Sequence, residues 1–187
     1  GISSLLPQSI DYDKLAPHPR ILLKSGDVTA MKEYVEKSSN AKAVHNFIIT
    51  EADKMLSSAP VERVMTGRRL LSISRTALKR IFYLSYAYVT TEDKRYAARA
   101  EQEMLALSKF SDWNPSHFLD VGEATLAMAI GYDWLYKYLS VHSRSIIGTA
   151  IYEKGLLASE NKSHAWFFNS SNNWNQVCNS GLICSAV

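Results

Sequence analysis

Apolar residues recur at spacings of three and four along most of the chain, the period of a helix, and the strict alternation of a half-buried strand is rare. The pattern predicts helices over about Asp27–Lys37, Ala41–Ser57, Leu70–Val89, Glu92–Lys109, His117–Leu139 and Val141–Asn161. A seventh begins near Asn172 and is still running at Val187. Asn40 is the expected cap of the second helix, and Thr90 with Asp93 a capping box before the fourth. Pro115-Ser116 opens the fifth and Ser140 caps the sixth. Residues 1–26 read as an extended lead-in, because Pro7, Pro17 and Pro19 hold their neighbours out of the helical region. Its Ile21-Leu22-Leu23 end is apolar and expected to pack.

Connection lengths alternate. Short links join the first helix to the second, the third to the fourth and the fifth to the sixth, which demands antiparallel hairpins. Longer ones lie at about 58–69, 110–116 and 162–171. In stacked hairpins these must emerge at one end, and they carry Arg68, Arg69, Trp113, Asn114, His117, His164, Trp166, Asn172, Asn173 and Trp174. Polar and aromatic residues gathered on loops at one rim suggest a ligand face.

Helix character alternates too. The fourth helix is expected to turn Lys94, Arg95, Arg99, Glu101, Glu103 and Lys109 to solvent and Tyr96, Ala100, Met104 and Leu107 inward. The fifth is apolar nearly all round, as a buried helix must be, and the sixth is one-sided again. Inner and outer helices recurring every roughly 48 residues imply an all-α fold of layered hairpins, a ring or a solenoid. Residues 27–187 would form one domain, cut in mid-helix at Val187. Gly1-Ile2-Ser3-Ser4 reads as a start that follows a removed leader.

Composition narrows the function. With 187 residues, 47% hydrophobic and 21% charged, the chain can bury a core and is not a disordered segment. A net charge of +3 suits an anionic partner but makes no nucleic-acid footprint. No apolar run is long enough to span a membrane. Cys178 and Cys184 sit too far apart on one helix to bridge, and the histidines lack metal-site spacing, so no metal is expected. No cofactor is expected either: phosphate loop, nucleophile elbow and dinucleotide fingerprint are all missing.

Five motifs bear a resemblance. His18-Pro19-Arg20-Ile21-Leu22-Leu23, the stretch Leu78–Asp93, and Asp112-Trp113-Asn114-Pro115-Ser116-His117-Phe118-Leu119-Asp120-Val121-Gly122-Glu123 resemble segments of the heparinase II/III-like polysaccharide lyases. So do Gly131-Tyr132-Asp133-Trp134-Leu135-Tyr136 and Asn172-Asn173-Trp174-Asn175-Gln176-Val177-Cys178-Asn179-Ser180-Gly181, in the family's order. The resemblance implies part of an incomplete (α/α) toroid, followed in the whole protein by the rest of the toroid and a β-sandwich. It implies cleavage of uronic-acid polysaccharides by β-elimination, in a secreted or periplasmic bacterial enzyme. The catalytic tyrosine and a second histidine would lie beyond Val187, leaving this portion inactive alone.

Elimination at a uronate removes a proton next to a carboxylate, so a donor must quiet the charge that grows there. By resemblance that donor is Asn173, with Asn172 second; either could instead cap the last helix. Trp113 and Trp174 are candidate platforms for sugar rings, or core. His117 could bind a carboxylate or donate a proton, or be satisfied locally. Arg80, on an apolar helix, needs Asp120, Glu123 or Asp133 as partner, or else a substrate carboxylate. Asp133 reads as a hydrogen-bond hub in the core. Asp120 and Glu123 raise the alternative of an (α/α)-barrel glycoside hydrolase, although two acids on one helix face flank a bond poorly. A non-catalytic carbohydrate-binding helical module is the third reading.

Overall fold

The computed structural model describes residues 14–24 and 26–186. The predicted lead-in before Lys14, and the end of the last helix at Val187, lie outside the described residues. Within them the chain is all-α, with no strand and one isolated bridge between Thr66 and Arg69. The helices are α1 (Asp27–Lys37), α2 (Ser39–Met55), α3 (Leu71–Thr91), α4 (Lys94–Ser108), α5 (Phe118–Trp134), α6 (Val141–Ala150) and α7 (Asn173–Ala186). α6 continues through a π-helical stretch, Ile151–Leu156, and a last turn, Leu157–Ser159.

Several helix ends differ from expectation. Ser38, not Asn40, caps α2: its backbone is extended and its hydroxyl accepts from Ala41 N–H. Asp93 caps α4 through Arg95 N–H, but there is no capping box, because the Thr90 hydroxyl turns back to the Tyr86 carbonyl. Ser140 caps α6 as its sequence implies. α5 stops at Trp134, and 135–139 closes in tight turns instead of helix.

α3, α5 and α7 form an inner row. Leu70 N–H bonds to Asp120 and Arg75 to Glu123, partners separated by 50 and 48 residues, so α3 and α5 run parallel in register. His117 meets Trp174 where α5 and α7 begin, and Gly122 meets Gly181 further along, so these two are parallel as well. α2, α4 and α6 cover the row: α2 lies on α3, α4 on α3 and α6, and the π-helical stretch on α5 and α7. The chain therefore alternates inner and outer helices, and all three inner helices start at the same end.

Two glycines set the depth of the α5–α7 crossing. A Cβ on Gly181 would overlap the Gly122 carbonyl oxygen, and one on Gly122 would sit 3.0 Å from Cys178 Cα. Neither backbone can approach so closely once a side chain intervenes. Along the rest of α5, Val121, Ala124 and Met128 fill the centre of the core.

α4 departs from the expected solvent-facing pattern. Arg99 and Glu103 are 4% and 0% exposed, with Nη2 and Oε2 in charge contact at 2.6 Å though not aligned as a hydrogen bond. Glu103 also accepts from Val61 N–H and Arg80 Nη1, each at 3.2 Å. Arg99 Nε and Arg80 Nη1 donate to the carbonyls of Ser58 and Ala59. A buried charge needs such partners, and the group as a whole clamps the α2–α3 connection. Arg80 is thus paired with Glu103, not with Asp120, Glu123 or Asp133. The reason is geometric: α3 turns this side chain toward the outer layer.

Asp133 is the hub its context suggests. It takes the backbone N–H groups of Arg20 and Ile21 at 2.9 Å and His18 Nδ1 at 2.5 Å, while Trp134 Nε1 donates to the Ile21 carbonyl. The lead-in strap is thereby tied to the C-terminal end of α5, and Leu23 buries beside Trp134 and Ile130.

Candidate functional site

At the end where α3, α5 and α7 begin, the longer connections meet. Thr66–Arg69 is a tight turn made possible by Gly67 at φ +59°. It presents the Arg68 carbonyl to Asn114 Nδ2 at 2.8 Å. Asn114 itself adopts a left-handed backbone, which asparagine tolerates better than most residues. The same amide donates to Asp120 Oδ2 at 2.7 Å, and Leu70 N–H donates to that oxygen at 2.6 Å. The other Asp120 oxygen lies 2.6 Å from His117 Nδ1. Asp120 is wholly buried, so its charge is dispersed over three donors and held in place.

His117 then carries the arrangement outward. Its ring stands edge-on to Trp174 at 4.8 Å, and Trp174 lies against Trp166 at 4.7 Å. Trp166 and Phe168 are about half exposed, at 49% and 46%. They sit on a short 3-10 turn, Ala165–Asn169, held by Asn175 Nδ2 through the carbonyls of Phe167 and Phe168. Phe167 anchors the turn by stacking on Phe118.

The asparagine pair divides its work. Asn172 Oδ1 accepts from Trp174 N–H at 3.0 Å and from the Ser170 hydroxyl, so it caps α7. Asn173 is exposed and its amide has no hydrogen-bond partner among the described residues. Arg68 and Arg69 are exposed at the same end, with no ion pair among those residues. The starts of three parallel helices add partial positive charge there.

Two predicted residues do not belong to this mouth. Trp113 is wholly buried, its indole N–H bonded to the Leu107 carbonyl at 3.1 Å, and offers no face to a ligand. Arg80 lies roughly 15 Å along α3 from its start, at the Glu103 cluster. The structure brings His117 against Trp174 and Asn172 onto the Trp174 backbone N–H, and places Asn173 at the start of the same helix. It adds Asn114 and Asp120 as the residues that orient His117, Asn175 as the one that holds the aromatic turn, and Trp166 as an open ring. The Asn114-Pro115 pair, a turn former ahead of a helix, is the sequence signal for the first of these.

The mouth can hold an anion near donors and stack a ring with an apolar face. Among the described residues no group of three His, Cys, Asp or Glu side chains is placed to bind a metal, and no helix is long and apolar enough to cross a membrane. Comparison with protein-family models and with curated proteins gave no match.

Proposed function

We propose that this chain is the N-terminal portion of an (α/α) toroid in a polysaccharide lyase, secreted or periplasmic, that cleaves uronic-acid polysaccharides by β-elimination. The observation that supports the reading is the His117 imidazole, oriented by buried Asp120 and flanked by Trp174, at the end of the inner row where the helix that begins with Asn173 starts.

In the elimination, a base removes the proton on the carbon next to the uronate carboxylate. The freed electron pair forms a double bond to the neighbouring carbon, whose bond to the glycosidic oxygen breaks, and that oxygen takes up a proton. Asn173 donates to the carboxylate, where negative charge builds, without itself titrating. With Asp120 on Nδ1, the His117 Nε2 is the ring atom available to move a proton or bind the sugar acid. Trp174 and Trp166 supply an apolar face for the C–H side of a sugar ring. Arg68, Arg69 and the helix starts draw the polyanion in.

The hydrolase alternative has less support. Asp120 is buried with both oxygens engaged, and Glu123 is held by Arg75 at 3.0 Å. Two carboxyl groups so occupied do not flank a glycosidic bond.

The test is the full-length protein against heparan sulfate, chondroitin and alginate, following the ultraviolet absorbance of an unsaturated uronate. Substitution Asn173→Ala should lower the rate by about 100-fold, the usual cost of one charge-stabilising donor. Saturated products, or glycan binding without turnover that is lost in Trp166→Ala, would replace the lyase with a hydrolase or a binding module.

A further inference from the structure

Between Glu62 and Glu92 the chain carries six cations and no carboxylate. Arg75, Lys79 and Arg80 of this stretch lie on α3, and Arg68 and Arg69 stand just before it at the mouth. Arg75 and Lys79 are four residues apart on one helix face, where like charges repel. Both side chains are exposed, so core packing does not account for that repulsion.

α2 lies antiparallel along this face. Lys79 Nζ donates to Glu51 at 2.9 Å, and one turn further along each helix Phe47 meets Tyr83 edge-on at 6.5 Å. Toward the mouth, Lys54 Nζ donates to the same Glu51 carboxylate at 2.7 Å. An open groove of about 470 Å³ runs between the two helices, with Glu51, Lys54, Arg75 and Lys79 in its walls.

The groove keeps a positive excess. Lys54 and Lys79 share Glu51, Arg80 and Arg99 share Glu103, and only Arg75 has a carboxylate to itself, Glu123. The C-terminal end of α2 adds roughly half a negative charge, which does not cancel the two unmatched cations. The donors are also open to a ligand: Lys54, Arg75 and Lys79 are 68%, 62% and 49% exposed, whereas Glu51 is covered by its two lysines. Beyond the cations the surface turns aromatic. Phe47 is more than half exposed, and Lys79 lies over the Tyr83 ring at 5.5 Å. Cations followed by an open ring suit a polymer that is acidic and also has apolar C–H faces. Duplex nucleic acid shares the charge but keeps its ring faces inside the stack.

We propose that this groove is a second binding track for an acidic polysaccharide, leading from Arg68 and Arg69 at the mouth over Arg75, Lys54 and Lys79 to Phe47, an inference that rests on the acidic-polysaccharide reading of the mouth. From the start of α3 to Tyr83 the track runs roughly 18 Å, so it engages a chain of several sugars and not a single one.

Alginate, a polyuronate, is a suitable probe, with neutral dextran as its uncharged counterpart. Both are titrated by calorimetry into the full-length protein carrying Asn173→Ala, which slows turnover. Alginate should bind and dextran should not. Adding Lys54→Gln with Lys79→Gln should weaken alginate by about fivefold at low salt, and Phe47→Ala by about threefold. Glu51→Gln removes the acid from the groove and should tighten binding, a gain that no folding defect imitates. Unchanged affinity in the lysine variant, no gain in Glu51→Gln, or duplex DNA bound as tightly as alginate would each overturn the track. Unsaturated product from the full-length protein, with affinity indifferent to these substitutions, would sink the track alone. Affinity that follows them, without any unsaturated product, would sink the lyase reading alone.

Discussion

His117 Nδ1 and a carboxylate oxygen of Asp120 stand 2.6 Å apart, three residues from each other where α5 begins. The other Asp120 oxygen ties down Leu70, at the start of α3, and Asn114, in the preceding loop. One buried charge thus fixes both the orientation of the imidazole and the relative placement of two inner helices.

Substitution at the two positions should separate these roles. Asp120→Ala strands three donors and should cost about 3 kcal/mol, read by urea denaturation. His117→Asn keeps a side-chain N–H where Nδ1 meets Asp120 and should change stability by less than about 1 kcal/mol, while lowering turnover of acidic polysaccharide in the full-length protein. Equal destabilisation by both would leave His117 a structural residue only.

Gly181→Ala should be among the more damaging single-methyl additions, about 3 kcal/mol, because its Cβ would meet the backbone of α5 and not a movable side chain. Thermal denaturation measures the cost. Tryptophan fluorescence should shift as well, since wedging α7 from α5 moves Trp174 away from His117. An unchanged melting temperature would show that the crossing has more room than the structure gives it.

Asp133→Ala should release the strap. The N–H groups of Arg20 and Ile21 would lose their acceptor, and Leu23 would lose its seat beside Trp134, for about 3 kcal/mol in total. Limited proteolysis should then cut near Arg20 in the variant and not in the parent protein.

Acid should weaken one surface network in a defined window. Hydrogen bonds from Lys54, and then from Lys79, hold the Glu51 carboxyl down from 4.5 to about 2. A depressed folded-state value means the contribution is present above 4.5 and is lost as the pH falls toward 2. The stability difference between the parent protein and Glu51→Gln should therefore shrink across that interval. Because the pair is exposed, the difference should also fade with added salt.

Much of the architecture was legible in the order of residues. Helix period, the Ser140 cap and the all-round apolar α5 are local properties, set by spacing within a few turns. The alternation of short and long links placed the longer loops at one end, since an antiparallel hairpin leaves no other exit. Asp133 was readable as a hub because a lone carboxylate between two aromatic residues must be satisfied if buried. Contacts between distant segments were not legible. Arg99 and Glu103 follow a surface-like pattern, yet the α2–α3 connection folds over them and supplies carbonyls and an N–H group. Trp113 and Trp166 are chemically the same residue. Only the packing of α4 against the loop buries the first, and only the Asn175-held turn leaves the second open. The division of Asn172 from Asn173 depends on where the helix begins, to within one residue. Sequence fixes periodicity because that is written every three or four positions. Which polar group meets solvent, and which meets a partner fifty residues away, is decided when the inner helices close on one another at Gly122 and Gly181.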